Sequence, residues 1–105
     1  MAAQYRVMLR MNIRPGMEEE FEQTWREVGT SVTDFYGNRG QWLARSLDEA
    51  GVYYVTSDWT DETAFREFET SERHVHHRER LHPYRSSGAM SLLRIVAAMP
   101  PRVTD

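Results

Sequence analysis

Tyr5, Val7, Leu9, Met11 and Ile13 alternate with Arg6, Met8, Arg10, Asn12 and Arg14. A period of two predicts a β-strand, and Pro15-Gly16 ends it because proline has no N–H to give to a ladder. The period then changes. Met17, Phe21, Trp25, Val28 and Val32 recur at spacings of three and four, one helical stripe. Glu18, Glu19 and Glu20 fall in its first turn, where the helix dipole favours them. Gly37, Asn38 and Gly40 break the chain. Residues 41–47 and 52–59 predict two strands joined by the turn Asp48-Glu49-Ala50-Gly51. Thr60 or Asp61 can cap a second helix carrying Ala64, Phe65 and Phe68, and Ser71 restarts a helical segment to about Leu81. His82-Pro83 stops it, Ser86-Ser87-Gly88 predicts a loop, and residues 89–99 predict a last strand, apolar on both faces.

The order βαββαβ is that of a ferredoxin-like α+β fold, an antiparallel sheet with helices on one side. The other face of such a sheet is left open. Leu92 and Val96 on one face of the last strand, Leu93 and Ile95 on the other, and Trp42 and Leu43 on the second strand make it too apolar for water. A second copy is the expected cover, so a homodimer is predicted. The 105 residues fit one domain, over 1–99, with 100–105 as a disordered tail. A net charge of −3 offers no basic patch to nucleic acid. The lack of cysteine excludes disulfides and thiolate chemistry, and no apolar run is long enough for a membrane helix. MAAQYRV alternates like a strand rather than reading as a leader, and cytoplasmic residence is expected.

All four histidines lie in ERHVHHRERLHPY. At about 100° per residue, His74 and His77 share a side of a helix and His76 points elsewhere. One such pair is too few for zinc or iron, so no metal is expected. Arg73, Arg78, Glu79 and Arg80 interleave as on a solvated face. His74 and His77 are the candidate acid–base groups, because imidazole titrates near neutrality. His76 and His82 are expected to face water or cap local structure. Trp59 can be a catalytic residue or a core aromatic. Trp42, Tyr53, Phe65 and Phe68 can wall a flat polycycle or fill the core. Tyr84 and Arg85 can close a pocket and pair with a phenolate, or form a surface turn. No phosphate-cradling glycine loop or nucleophile elbow occurs, so neither nucleotide nor flavin is expected.

Three segments carry a resemblance: NIRPGMEEEFEQTW after the first strand, VYYVTSDWTDETAFREF, and SERH opening the next helical segment. With them, residues 5–99 resemble the antibiotic-biosynthesis monooxygenase family, the dimeric α+β barrels. LHPYRSSGAM resembles small members associated with bacterial aromatic polyketide pathways. The resemblance implies a pocket between helices and sheet in each subunit. It also implies a choice of activities: oxidation of anthrone-like polyketides to quinones with O2 and no metal or flavin, haem degradation, or cyclisation. The asparagine that quinone-forming members carry four residues before the third-strand tryptophan corresponds to Val55, and their tyrosine six residues after it to Phe65, while Trp59 is kept. The residues of haem-degrading members correspond to Leu9, Phe68 and Arg78, with His77 adjacent to the last. Asn12 has the opposite strand parity to Leu9 and is expected to point away from the pocket.

The resulting expectation is a cofactor-independent monooxygenase with O2 as co-substrate, acting on an aromatic polyketide intermediate in antibiotic or pigment biosynthesis. His74, His77 and Trp59 are its expected catalytic residues. Trp42, Tyr53, Phe65, Phe68, Tyr84 and Arg85 are its expected substrate contacts. The alternatives are a polyketide cyclase of the same fold and a non-catalytic ligand-binding or assembly protein.

Overall fold

The structure, a computed structural model, describes residues 5–102. Residues 1–4 of the N-terminal stretch and 103–105 of the expected tail lie outside the described residues. Strand β1 (Tyr5–Ile13) leads through Gly16, in the left-handed region at φ 86°, into α1 (Glu18–Val28) and the single turn α2 (Thr30–Thr33). Strands β2 (Asn38–Arg45) and β3 (Val52–Trp59) follow, then α3 (Glu62–Glu69), α4 (Glu72–Leu81), a 3-10 turn (His82–Tyr84) and β4 (Arg85–Arg94). The sheet is antiparallel in the order β2-β3-β1-β4, the ferredoxin-like arrangement.

Helix starts follow the predicted caps. The Asp61 carboxylate accepts from the Ala64 N–H at 2.9 Å, and Ser71 Oγ accepts from the His74 N–H at 3.3 Å. Each such cap contributes about 1 kcal/mol. The first helical stripe is interrupted at Gly29, yet Phe21, Val28 and Val32 all stay buried, so two helical pieces cover what one stripe predicted.

The two sides of the sheet differ. On the helix side, Val7, Met11 and Ile13 of β1 and Tyr53, Ser57 and Trp59 of β3 are buried. Two apolar clusters form there. One joins Val7, Val32, Trp59, Phe65 and Phe68. The other joins Met11, Ile13, Phe21, Tyr53 and Leu81. On the open side, β1 presents Arg6, Met8, Arg10 and Asn12, and their cross-strand partners include Thr56, Tyr54, Ala89, Ser91 and Leu93. Arg6 grips Asp58 with two hydrogen bonds of 2.6 and 2.8 Å.

The last strand corrects the sequence reading. It spans 85–94 rather than 89–99, and Ser86-Ser87-Gly88 belongs to it. Its ladder ends where Tyr5 meets Arg94, because β1 is the strand it must pair with. Leu92 stands opposite Val7 and so faces the helix side, while Leu93 opposite Arg6 belongs to the open side. Val96 lies past the strand and is exposed.

Candidate functional site

A cavity of about 330 Å³ lies between helices and sheet. Val7, Leu9 and Met11 of β1 and Val55, Ser57 and Trp59 of β3 form its floor. Trp25, Val32, Phe65 and Phe68 wall it, and α4 supplies His74, His77, Arg78 and Leu81. His82, Arg85, Gly88 and Met90 line it on the β4 side. Strand alternation puts Leu9 into it and Asn12 away from it, where the Asn12 amide donates to Ser87 Oγ at 2.6 Å.

The two histidines that share a helix face both reach the cavity. The His74 ring packs edge-on against Phe68 at 5.1 Å. Its Nδ1 is buried with no hydrogen-bond partner among the described residues. Burial holds the imidazole below its ordinary pKa, the Arg78 cation lowers it further, and Glu69 pulls the other way. His77 Nδ1 lies 3.4 Å from the Val28 carbonyl oxygen. If Nδ1 donates there, the tautomer assigned from that bond leaves Nε2 as an acceptor. Burial again lowers the His77 pKa, against the raising effect of the Val28 bond and with a lowering contribution from His74. Neutral imidazole is therefore the resting form of both near pH 7. His76 is exposed and outside the cavity lining. His82 caps the end of α4 and is exposed at the cavity edge.

Trp59 is fully buried, in contact with Phe35, Phe65 and Phe68 at 5.2–6.4 Å between ring centroids. Its indole N–H donates to Ser57 Oγ at 3.0 Å. Trp59 thus backs the cavity wall from within the core, with its one polar group already engaged. Ser57 escaped the sequence reading, although it shares strand parity with Val55 and Trp59 and so had to face the same side.

Three expected substrate contacts lie elsewhere. Trp42 pairs with Thr56 on the open side of the sheet, half exposed. Tyr53 is under Phe21 in the core, and its hydroxyl donates to Glu22 at 2.5 Å and accepts from Arg45 at 3.1 Å. Burial first, and the Glu22 bond second, push its pKa up to about 12. Tyr84 turns inward, sharing a 3.1 Å hydrogen bond with Thr24 Oγ1 and packing on Phe21. All three are large aromatics at strand or turn positions, and type alone does not say which face they take. Arg85, Phe65 and Phe68 do line the cavity. Among the described residues, no three of His, Cys, Asp and Glu come together as a metal site, and no helix is long and apolar enough to cross a membrane.

The sequence model of the family described as antibiotic biosynthesis monooxygenase matches residues 4–80. No curated protein matches the chain. Solved structures do. SnoaB of Streptomyces nogalater, described as a cofactor-independent oxygenase, superposes with a TM-score of 0.84 at 21% identity, covering 95% of this chain and all of that one. A putative antibiotic biosynthesis monooxygenase from Caulobacter crescentus gives 0.81 at 20% identity over 90% of this chain and 92% of its own. One from Bordetella bronchiseptica gives 0.84 at 17% identity over 91% and 100%. At these identities the likeness is one of fold.

Proposed function

Because the chain belongs to the antibiotic biosynthesis monooxygenase family, we propose that it is a cofactor-independent oxygenase of an aromatic polyketide intermediate, with His74 as its base. The observation that carries this reading is His74 on the lining of an aromatic cavity, with a buried Nδ1 that has no hydrogen-bond partner among the described residues. A buried acceptor without a donor costs about 1–3 kcal/mol, and a substrate that brings a proton to it recovers that cost. Phe65 and Phe68, backed by the buried Trp59, give the cavity an aromatic wall suited to a flat polycycle. The cofactor-independent chemistry of SnoaB on the same fold supports the reading.

The step balances without a cofactor. The His74 imidazole takes a proton from an activated CH2 flanked by aromatic rings, leaving a carbanion delocalised over the polycycle. The carbanion passes one electron to O2, and the radical pair joins to form a C–O bond. The resulting peroxide anion takes the proton back from the imidazolium. Loss of water from that hydroperoxide leaves a C=O, with one oxygen atom in the product and one in water. The protein contributes orientation, exclusion of water and the base. Val55 and Phe65 occupy the positions at which the resemblance implied asparagine and tyrosine, so proton transfer falls to the helix histidines.

The direct test is oxygen uptake with an anthrone, using protein treated with chelator and free of flavin. The expected result is one O2 consumed per quinone formed. Ring closure without oxygen uptake would assign a cyclase instead.

The open side of the sheet, with half-exposed Trp42 and Leu93 beside Met8 and Tyr54, is the proposed contact between two copies. Light scattering at micromolar concentration should give twice the chain mass, and Trp42→Asp should give monomers, because an unpaired carboxylate in such a contact costs several kcal/mol. A wild-type monomer would remove the proposal.

A further inference from the structure

The cavity is chemically unequal at its two ends. Val7 pairs with Ser57 near Trp59, whereas Met11 pairs with Tyr53 and with Gly88. From Val7 to Met11 the floor runs roughly 13 Å at strand spacing. Helix α4 spans the same length, from His74 against Phe68 to Leu81 in the cluster with Met11. At about 1.5 Å per residue, His74 to His82 covers roughly 12 Å. One end is therefore aromatic and carries the histidine base. The other end holds Arg85.

The Arg85 guanidinium lies over Gly88. A Cβ at Gly88 would sit 3.0 Å from Arg85 Nη1 and 3.7 Å from Cζ. Gly88 faces the cavity opposite Met11, and its missing side chain is the space that the guanidinium uses. Among the described residues, no carboxylate is within ion-pair distance of Arg85; the pairs that form involve Arg6, Arg10, Arg26, Arg45, Arg66 and Arg80. Arg85 is only partly exposed and is one of the residues that line the cavity. Arg78 also lines the cavity and is also absent from these pairs, but it is exposed and sits beside His74.

We propose that Arg85, seated on Gly88, is the specificity residue that recognises a carboxylate at the end of the substrate remote from the carbon His74 deprotonates. A guanidinium fork matches a carboxylate with two parallel hydrogen bonds. The separation of the two ends is on the scale of a fused polycycle rather than a single ring. Held at both ends, such a substrate binds in one orientation and presents one carbon to His74. This rests on the reading of the cavity as the substrate site.

The test is a fluorescence titration with anthracene-2-carboxylate and its neutral partner anthracene-2-carboxamide. Wild-type protein should bind the carboxylate roughly 10- to 100-fold more tightly, the range for a charge-assisted hydrogen bond. Arg85→Gln should bring that ratio close to one while keeping the amide affinity. Arg85→Lys should keep part of the ratio, since it retains charge but not the fork. Gly88→Ala should shrink the ratio with Arg85 intact, because the new Cβ displaces the guanidinium. An unchanged ratio in Arg85→Gln, or a ratio erased by Arg78→Gln instead, overturns the proposal. Equal wild-type binding of both compounds overturns it and leaves the cavity reading standing. Binding of neither overturns both.

Discussion

His74→Ala is expected to lower turnover by about 10²- to 10⁴-fold, the usual cost of losing a general base. His74→Phe should lose as much while keeping the aromatic packing on Phe68, and so separates lost chemistry from lost structure. The pH–rate profile carries the second half of the expectation. A base must be neutral to work, so rate falls on the acid side as the imidazole protonates. Burial and the Arg78 cation hold His74 below its ordinary value. The acid limb should therefore lie below about pH 6.5 in wild type and disappear in both variants. His76→Ala should change little, since His76 is exposed and outside the cavity lining. Wild-type rates in both the His74 and His77 variants on a verified substrate would assign these residues no part in the reaction.

Trp59→Ala should cost about 3–5 kcal/mol of folding stability, the range for removing a fully buried large aromatic. Trp59 has no exposed surface and touches three phenylalanine rings. Chemical denaturation would read the loss as a lower midpoint at constant slope. Ser57→Ala distinguishes the two roles open to Trp59. It frees the buried indole N–H that now donates to Ser57 Oγ. If Trp59 serves only as packing and surface, Ser57→Ala should cost about 1–3 kcal/mol of stability and leave turnover per folded molecule unchanged. A large change in turnover at full occupancy of the fold would mean that the indole N–H takes part in the chemistry.

Much of the fold was legible because its signals are local and periodic. The alternation from Tyr5 to Ile13 and the caps Asp61 and Ser71 depend on near neighbours, and the structure follows each of them. The last strand was misplaced because its length depends on a distant partner. Nothing in Ser86-Ser87-Gly88 itself favours a strand, yet Asn12 and Met11 supply the ladder. The same cause hid part of the site. With Gly88 read as loop, its place beneath Arg85 could not be seen. Helical spacing, in contrast, brought out His74 and His77 together, because rotation about an axis is fixed by residue count alone. Trp42 and Tyr53 are large enough for either role, but the face of each is set by the register between β2 and β3, and Tyr53 is held by Glu22, far away in sequence.

The strand order leaves β2 and β4 at the two rims of the sheet. A bare rim is a template on which another chain can add a strand, the first step toward fibrous aggregation. Both rims carry their own deterrent. Strand β2 has Arg39 and Arg45 near its ends, and β4 begins at Arg85 and finishes at Arg94. Two rims aligned in parallel register would bring like charges together at each end, and so these arginines act as gatekeepers while the chain is folding. At Arg85 this protection and the proposed ligand contact fall to one side chain, so a variant chosen to change ligand preference there is expected also to lower the barrier to misassembly.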